Sequence, residues 1–149
     1  LQNPQRLMRF LEVCKGTNQP YSNFIQATPA KRNFTSIVIG FTAPRDQLYA
    51  RINQRVDRMM QRGLLTEVES LQHEKSNNAL QTVGYKELFG YLEGIYTLPE
   101  AIDLIKQNTR RYAKRQHTWF THKLATHWFD FQTPTETLLE FIDKTIKSN

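Results

Sequence analysis

The sequence predicts an α/β protein that is predominantly helical, with two strands. Three observations carry that expectation. FTSIVIGF at 34–41 is β-branched, aromatic or apolar at successive positions, the pattern of a strand enclosed on both faces as in a parallel sheet. A lone buried strand has nothing to pair with, and HWFDF at 127–131 supplies the second. Most of the chain between and around them repeats its apolar residues at spacings of three and four, the helical period.

Taken in order, Asn3 can cap a helix that has Pro4 at its first position, Leu7, Phe10, Leu11 and Cys14 on its apolar side, and Gly16 just past its end. Residues 16–33 carry Gly, Asn, two Pro and several Ser and Thr, and read as a connection with one short helical turn. This is the seam of the chain. After the first strand, Pro44 and Asp46 open a long helix in which Leu48, Ile52, Val56 and Met59 recur on one side. Gly63 breaks it, and Leu64, Val68 and Leu71 mark the next helix. VGYKELFGYLEG reads as a short helix ending at Gly94, and residues 98–124 as one long helix with Pro99 and Glu100 in its first turn. Thr133, Pro134 and Glu136 form a capping-box start for a last amphipathic helix carrying Leu138, Leu139, Ile142 and Ile146. No internal repeat is visible.

At 149 residues, with 39% hydrophobic and 23% charged content, the chain can bury one core and is not a disordered sequence. Its single cysteine, Cys14, excludes an intramolecular disulfide and a cysteine-rich zinc site, and fits a reducing cytoplasm. No apolar run approaches the roughly 18 residues that a membrane span needs, and the opening LQNPQRL lacks a signal-peptide pattern. No membrane association is expected. The chain opens on Leu rather than Met, so an upstream portion is expected.

Charge is where the sequence becomes specific. The formal net charge is +6, and residues 45–62 and 106–123 hold 11 of the 20 Lys and Arg, five in the first stretch and six in the second. From Leu104 to Phe129 there is no Asp or Glu. At about 100° per residue, Arg110, Arg111, Lys114, Arg115 and Thr118 share one arc of the long helix, while Ile105, Tyr112, Ala113, Trp119 and Phe120 share the opposite, core-facing arc. Like charges four apart cost an isolated helix roughly 0.2–0.5 kcal/mol per pair, a cost one Glu would remove. A solvated stripe is the plain alternative, but a phosphate-rich ligand would turn that repulsion into charge-assisted bonding. Arg51, Arg55, Arg58 and Arg62 form a second stripe, with Asp46 and Asp57 near enough for local salt bridges to explain it.

Other chemistries find little support. His73, His117, His122 and His127 have no HExxH spacing, Cys14 lies on an apolar face with no partner placed by sequence, and no nucleophile elbow occurs. No metal site and no catalytic residue is expected in this segment.

Five ordered blocks, QRLMRFLEV (5–13), RINQRVDRM (51–59), GLLTEV (63–68), VGYKELFGYLEG (83–94) and TRRYAKRQHTWF (109–120), resemble the tRNA dimethylallyltransferases, also called tRNA isopentenyltransferases. The resemblance runs through nearly the whole chain. It implies a P-loop kinase-like core carrying a helical insertion that grips tRNA, with residues 1–30 part of that insertion and its connection and residues 31–149 the C-terminal part of the core with its basic helices. It implies transfer of a dimethylallyl group from dimethylallyl diphosphate to N6 of the adenine 3′ of the anticodon, with Mg²⁺ and fixed cations stabilising the departing diphosphate. The adenine must be unstacked to react.

Residue by residue, the resemblance assigns Arg55 and Arg110 to the diphosphate. It assigns Gln5, Arg6, Arg9, Gly84, Tyr85, Lys86, Lys114, Arg115, Gln116 and Thr118 to the tRNA anticodon stem-loop, and leaves Trp119 as core support rather than a stacking platform. Thr121 stands where the family commonly has Arg or Lys, and Phe10 where it commonly has Ala. The family's GPTxxGKT-type loop and its acidic general base lie upstream of these blocks, and nothing in the 149 residues replaces them. The chain is therefore expected to be inactive alone. A non-catalytic RNA-binding helical module and an unrelated partner-binding helical protein are the competing readings, and self-association is one expected way to cover an exposed sheet edge.

Overall fold

The computed structural model describes residues 3–25 and 33–147, which fall into two compact units, 1–36 and 37–149. The boundary expected between residues 30 and 31 lies outside the described residues.

In the first unit, α1 (Pro4–Thr17) begins as its sequence dictates, with Asn3 Oδ1 accepting the Arg6 N–H at 3.0 Å. It does not stop at Gly16. Thr17 Oγ1 donates to Val13 O at 2.7 Å and continues the last turn, and Asn18 then takes the left-handed conformation (φ 53°) that ends the helix. Phe10 packs on Tyr21 at 4.3 Å between ring centroids, ahead of the single turn α2 (Ser22–Ile25), whereas Leu11 is exposed.

The second unit runs β1 (Val38–Thr42), α3 (Arg45–Gln61), α4 (Leu64–Ser70), two 3₁₀ turns at Gln72–Glu74 and Asn78–Leu80, α5 (Tyr85–Leu92), α6 (Leu98–Lys123), β2 (Thr126–Asp130) and α7 (Thr135–Lys147). The two strands pair in parallel, with Val38 opposite Thr126 and Thr42 opposite Asp130. β1 starts four residues later than its apolar run, because pairing begins only where Thr126 lies opposite, and Phe34 is left exposed. Its residues are half-buried or exposed rather than enclosed on both faces, since β2 is its one neighbour among the described residues.

The core is helical. Val56 of α3, Leu64 and Val68 of α4, Leu88 and Phe89 of α5, and Ala101 and Ile105 of α6 form one buried cluster. Fully burying a side chain of this size stabilises by about 1.5–3 kcal/mol. Gly63 permits the sharp turn from α3 into α4 because its φ of +94° is strained for residues with a Cβ. Thr97 and Glu100 cap α6 reciprocally: Glu100 Oε2 accepts the Thr97 N–H at 2.8 Å, and Thr97 Oγ1 accepts the Glu100 N–H at 3.5 Å.

The expected core arc of α6 holds only in its first half. Ile105 is buried, but Tyr112, Trp119 and Phe120 are exposed, because the buried cluster takes only Ala101 and Ile105 from this helix. α7 rests Phe141 on the rings of His127 and Phe129 of β2, at 4.8 and 5.1 Å.

Candidate functional site

The cations of α6 divide by height along the helix. Arg110, half-buried at the α3 crossing, donates from Nη1 to Asn53 Oδ1 at 2.6 Å, and its guanidinium carbon lies 5.7 Å from the Tyr49 ring centroid. Arg45 approaches the same ring at 5.7 Å. One turn below, Lys106 Nζ pairs with Asp57 Oδ1 at 2.6 Å. Tyr49, Asn53 and Asp57 recur every four residues, so α3 turns one polar row onto α6. Sequence reasoning missed this row, although its spacing was visible.

Arg55 takes a different side. It stands about 200° round α3 from Asn53, on the exposed stripe with Arg51, Arg58 and Arg62. The structure therefore puts Arg55 and Arg110 on opposite flanks of α3. Arg51 of that stripe covers the Phe131 ring at 5.0 Å.

Lys114, Arg115 and Thr118 do come together. With Trp119, His122 and Lys123 they line an open groove of about 400 Å³ on α6, and Thr118 Oγ1 donates to Lys114 O at 3.0 Å. Arg115 lies 5.8 Å from the Tyr112 ring. Gln116 is not among them: it lines a separate groove with Phe41, His117, Phe120 and Trp128, against the sheet.

Gly84, Tyr85 and Lys86 sit together at the head of α5. Gly84 is buried, Lys86 is exposed, and the Tyr85 hydroxyl donates to Glu67 Oε1. That bond to a carboxylate, followed by burial, raises the Tyr85 phenol above its ordinary value. Lys86 borders a cavity of about 470 Å³ that also takes in Lys75, Glu87, Tyr96 and Asn108.

In the first unit, Gln5 and Arg6 are exposed on α1, with Arg6 5.6 Å from the Phe10 ring. Arg9 pairs with Glu12 at 3.0 Å, an exposed pair of little energetic weight.

Among the described residues, the ion pairs are Arg9–Glu12, His73–Glu74, Lys75–Glu93 and Lys106–Asp57. Arg55, Arg110, Lys114 and Arg115 are in none of them. No three of the described His, Cys, Asp and Glu side chains gather as metal ligands, and no described helix is long and apolar enough to cross a membrane.

A helical α/β scaffold whose arginine and lysine rows lack carboxylate partners among the described residues presents a cationic face suited to anionic groups. The sequence model of the IPP transferase family matches residues 1–123, and the chain belongs to that family.

The chain is 54% identical over 149 residues to the tRNA dimethylallyltransferase of Flavobacterium johnsoniae, covering 100% of this chain and 48% of that protein. It is 43% identical over 136 residues to the tRNA dimethylallyltransferase of Bacillus subtilis, covering 90% of this chain and 43% of that protein. Among solved structures, the tRNA isopentenylpyrophosphate transferase of Bacillus halodurans superposes with a TM-score of 0.69 at 38% identity, over 98% of this chain and 45% of that one. A eukaryotic dimethylallyltransferase acting on tRNA superposes with a TM-score of 0.75 at 25% identity, over 97% of this chain and 41% of that one. The chain thus spans about half the length of the curated relatives it matches.

Proposed function

We propose that this chain is the part of a cytoplasmic tRNA dimethylallyltransferase that holds the anionic groups of both substrates: the phosphates of an anticodon stem-loop and the diphosphate of dimethylallyl diphosphate. The observation that carries the reading is the cation row of α6, where Arg110, Lys114 and Arg115 have no carboxylate partner among the described residues. A cation bonded to a neutral amide, as Arg110 is to Asn53, keeps its charge for a ligand.

In the reaction, N6 of adenine bonds to the allylic carbon as the carbon–oxygen bond to diphosphate breaks, and the N6 proton passes to a base. The leaving diphosphate gains charge, which a preorganised guanidinium stabilises. Arg110 suits that role, whereas Arg55, exposed on the other flank of α3, does not face the same diphosphate in this arrangement. Lys114, Arg115 and Thr118 from α6, Gly84, Tyr85 and Lys86 from the head of α5, Gln116 from the sheet-side groove, and Gln5, Arg6 and Arg9 from the helical insertion represented by residues 1–30 take the RNA. Mg²⁺ requires a set of hard oxygen ligands. No carboxylate lies at 104–129 and no three His, Cys, Asp or Glu gather among the described residues, so the protein ligands of the Mg²⁺ are expected outside this segment, with substrate phosphates completing its shell.

Binding of unmodified tRNA by the chain, titrated against salt, tests the reading. Affinity is expected to be weak and to fall as salt rises. Salt-independent binding, or none at low ionic strength, would contradict it. Incubation with tRNA, dimethylallyl diphosphate and Mg²⁺ is expected to give no prenylated product from this chain alone.

A further inference from the structure

We propose that Glu87 is a positioning residue for the RNA-binding surface, its carboxylate fixing the Gly84–Lys86 turn and the guanidinium of Arg111 in one polarity-matched relay. The inference rests on the reading just given. Glu87 is the third residue of α5 and accepts the Gly84 N–H through Oε2 at 2.8 Å, as a helix-capping glutamate does. Capping alone does not explain its burial. Only 6% of Glu87 is exposed, and it is the one charged residue in the buried set among the described residues. A buried carboxylate is costly unless its oxygens are used.

Its other oxygen is used. Oε1 accepts Nδ2 of Asn108 from α6 at 2.7 Å, and Asn108 Oδ1 accepts Nη1 of Arg111 at 3.4 Å. The order of donors and acceptors is forced, because a carboxylate offers no proton and must meet the NH₂ side of the Asn108 amide. The amide oxygen is thereby turned to Arg111. One end of the relay holds the turn that carries Lys86, and the other holds an exposed cation on the arc of Arg110, Lys114 and Arg115.

Glu87→Gln keeps the shape and reverses the polarity. The Gln oxygen can still accept the Gly84 N–H, but its NH₂ then faces Asn108, whose amide must flip and present its own NH₂ to Arg111. The arginine is released. Asn108→Ala cuts the relay at its middle and leaves the Gly84 N–H bond to Glu87 in place.

The test titrates wild type and both variants of the chain with unmodified tRNA between about 50 and 200 mM salt, alongside thermal unfolding. Glu87→Gln is expected to weaken binding about three- to tenfold and to lower the slope of log affinity against log salt by about one phosphate contact. Asn108→Ala should lower the slope by the same amount. Helix capping alone would change the unfolding midpoint and leave the slope untouched. An unchanged slope in folded Glu87→Gln overturns the proposal, as does an unchanged slope in folded Asn108→Ala. Should Glu87→Gln not fold, the slope of Asn108→Ala decides. Wild-type chain that binds no tRNA would remove the proposed function itself, whereas wild-type binding with an unmoved Glu87→Gln slope removes only this role.

Discussion

Arg110 and Asn53, 57 residues apart in sequence, meet across the α3–α6 crossing with Nη1 2.6 Å from Oδ1. The asparagine holds the guanidinium without cancelling its charge, and the Tyr49 ring supports it at 5.7 Å. Arg110→Ala is expected to weaken inorganic pyrophosphate binding at least about tenfold, which corresponds to about 1.4 kcal/mol. Asn53→Ala should give a smaller loss by freeing the side chain. Calorimetric titration measures both, and equal affinities across the series would dismiss Arg110 as a diphosphate ligand.

Arg115 is exposed on the groove face of α6 beside Lys114 and Thr118. A phosphate contact carries no base information, so Arg115→Glu should weaken binding to different tRNA sequences by similar factors and flatten the salt dependence. Identical affinity of variant and wild type at low salt would refute the assignment.

Leu88 is fully buried at the centre of the helical cluster. Leu88→Ala should destabilise the fold by about 2–5 kcal/mol, read from denaturant midpoints. A loss well below that range would mean the site collapses around the cavity.

Gly40 lies opposite Trp128 in the strand pair, and a Cβ built there would sit 2.6 Å from Trp128 Cζ3. Gly40→Ala must therefore move the indole, which stacks on His117 at 4.5 Å, at a cost of about 1–3 kcal/mol. Altered tryptophan emission together with a lower unfolding midpoint is the expected pair of signals.

Glu100 accepts the Thr97 N–H and hydroxyl, which lowers its carboxyl below the ordinary value. A carboxyl lowered in the folded state adds stability that is present above its unfolded value and lost as pH falls through the folded one. Glu100→Gln should thus be less stable than wild type at neutral pH, with the difference shrinking as acid protonates the wild-type carboxyl. A pH-independent difference in unfolding midpoint would show that the cap acts without its charge.

Helix starts were legible because their causes are local. Asn3 ahead of Pro4 and the Thr97–Glu100 box are read from a few neighbouring residues, and Gly63 announces its own turn. The end of α1 was less legible, since Gly16 and Asn18 both can stop a helix and the last turn used Asn18. The acid-free stretch of α6 was equally plain in one dimension.

What the sequence determined by itself was the order of helices and strands, the absence of acids from 104–129 and the family to which its blocks belong, all properties of residues close along the chain. Tertiary structure alone decided which polar groups meet: Arg110 with Asn53 rather than Arg55, and Asn108 with a buried Glu87. Those pairings depend on how α3, α5 and α6 cross, and burial raises the stakes of each donor and acceptor only after packing has excluded water.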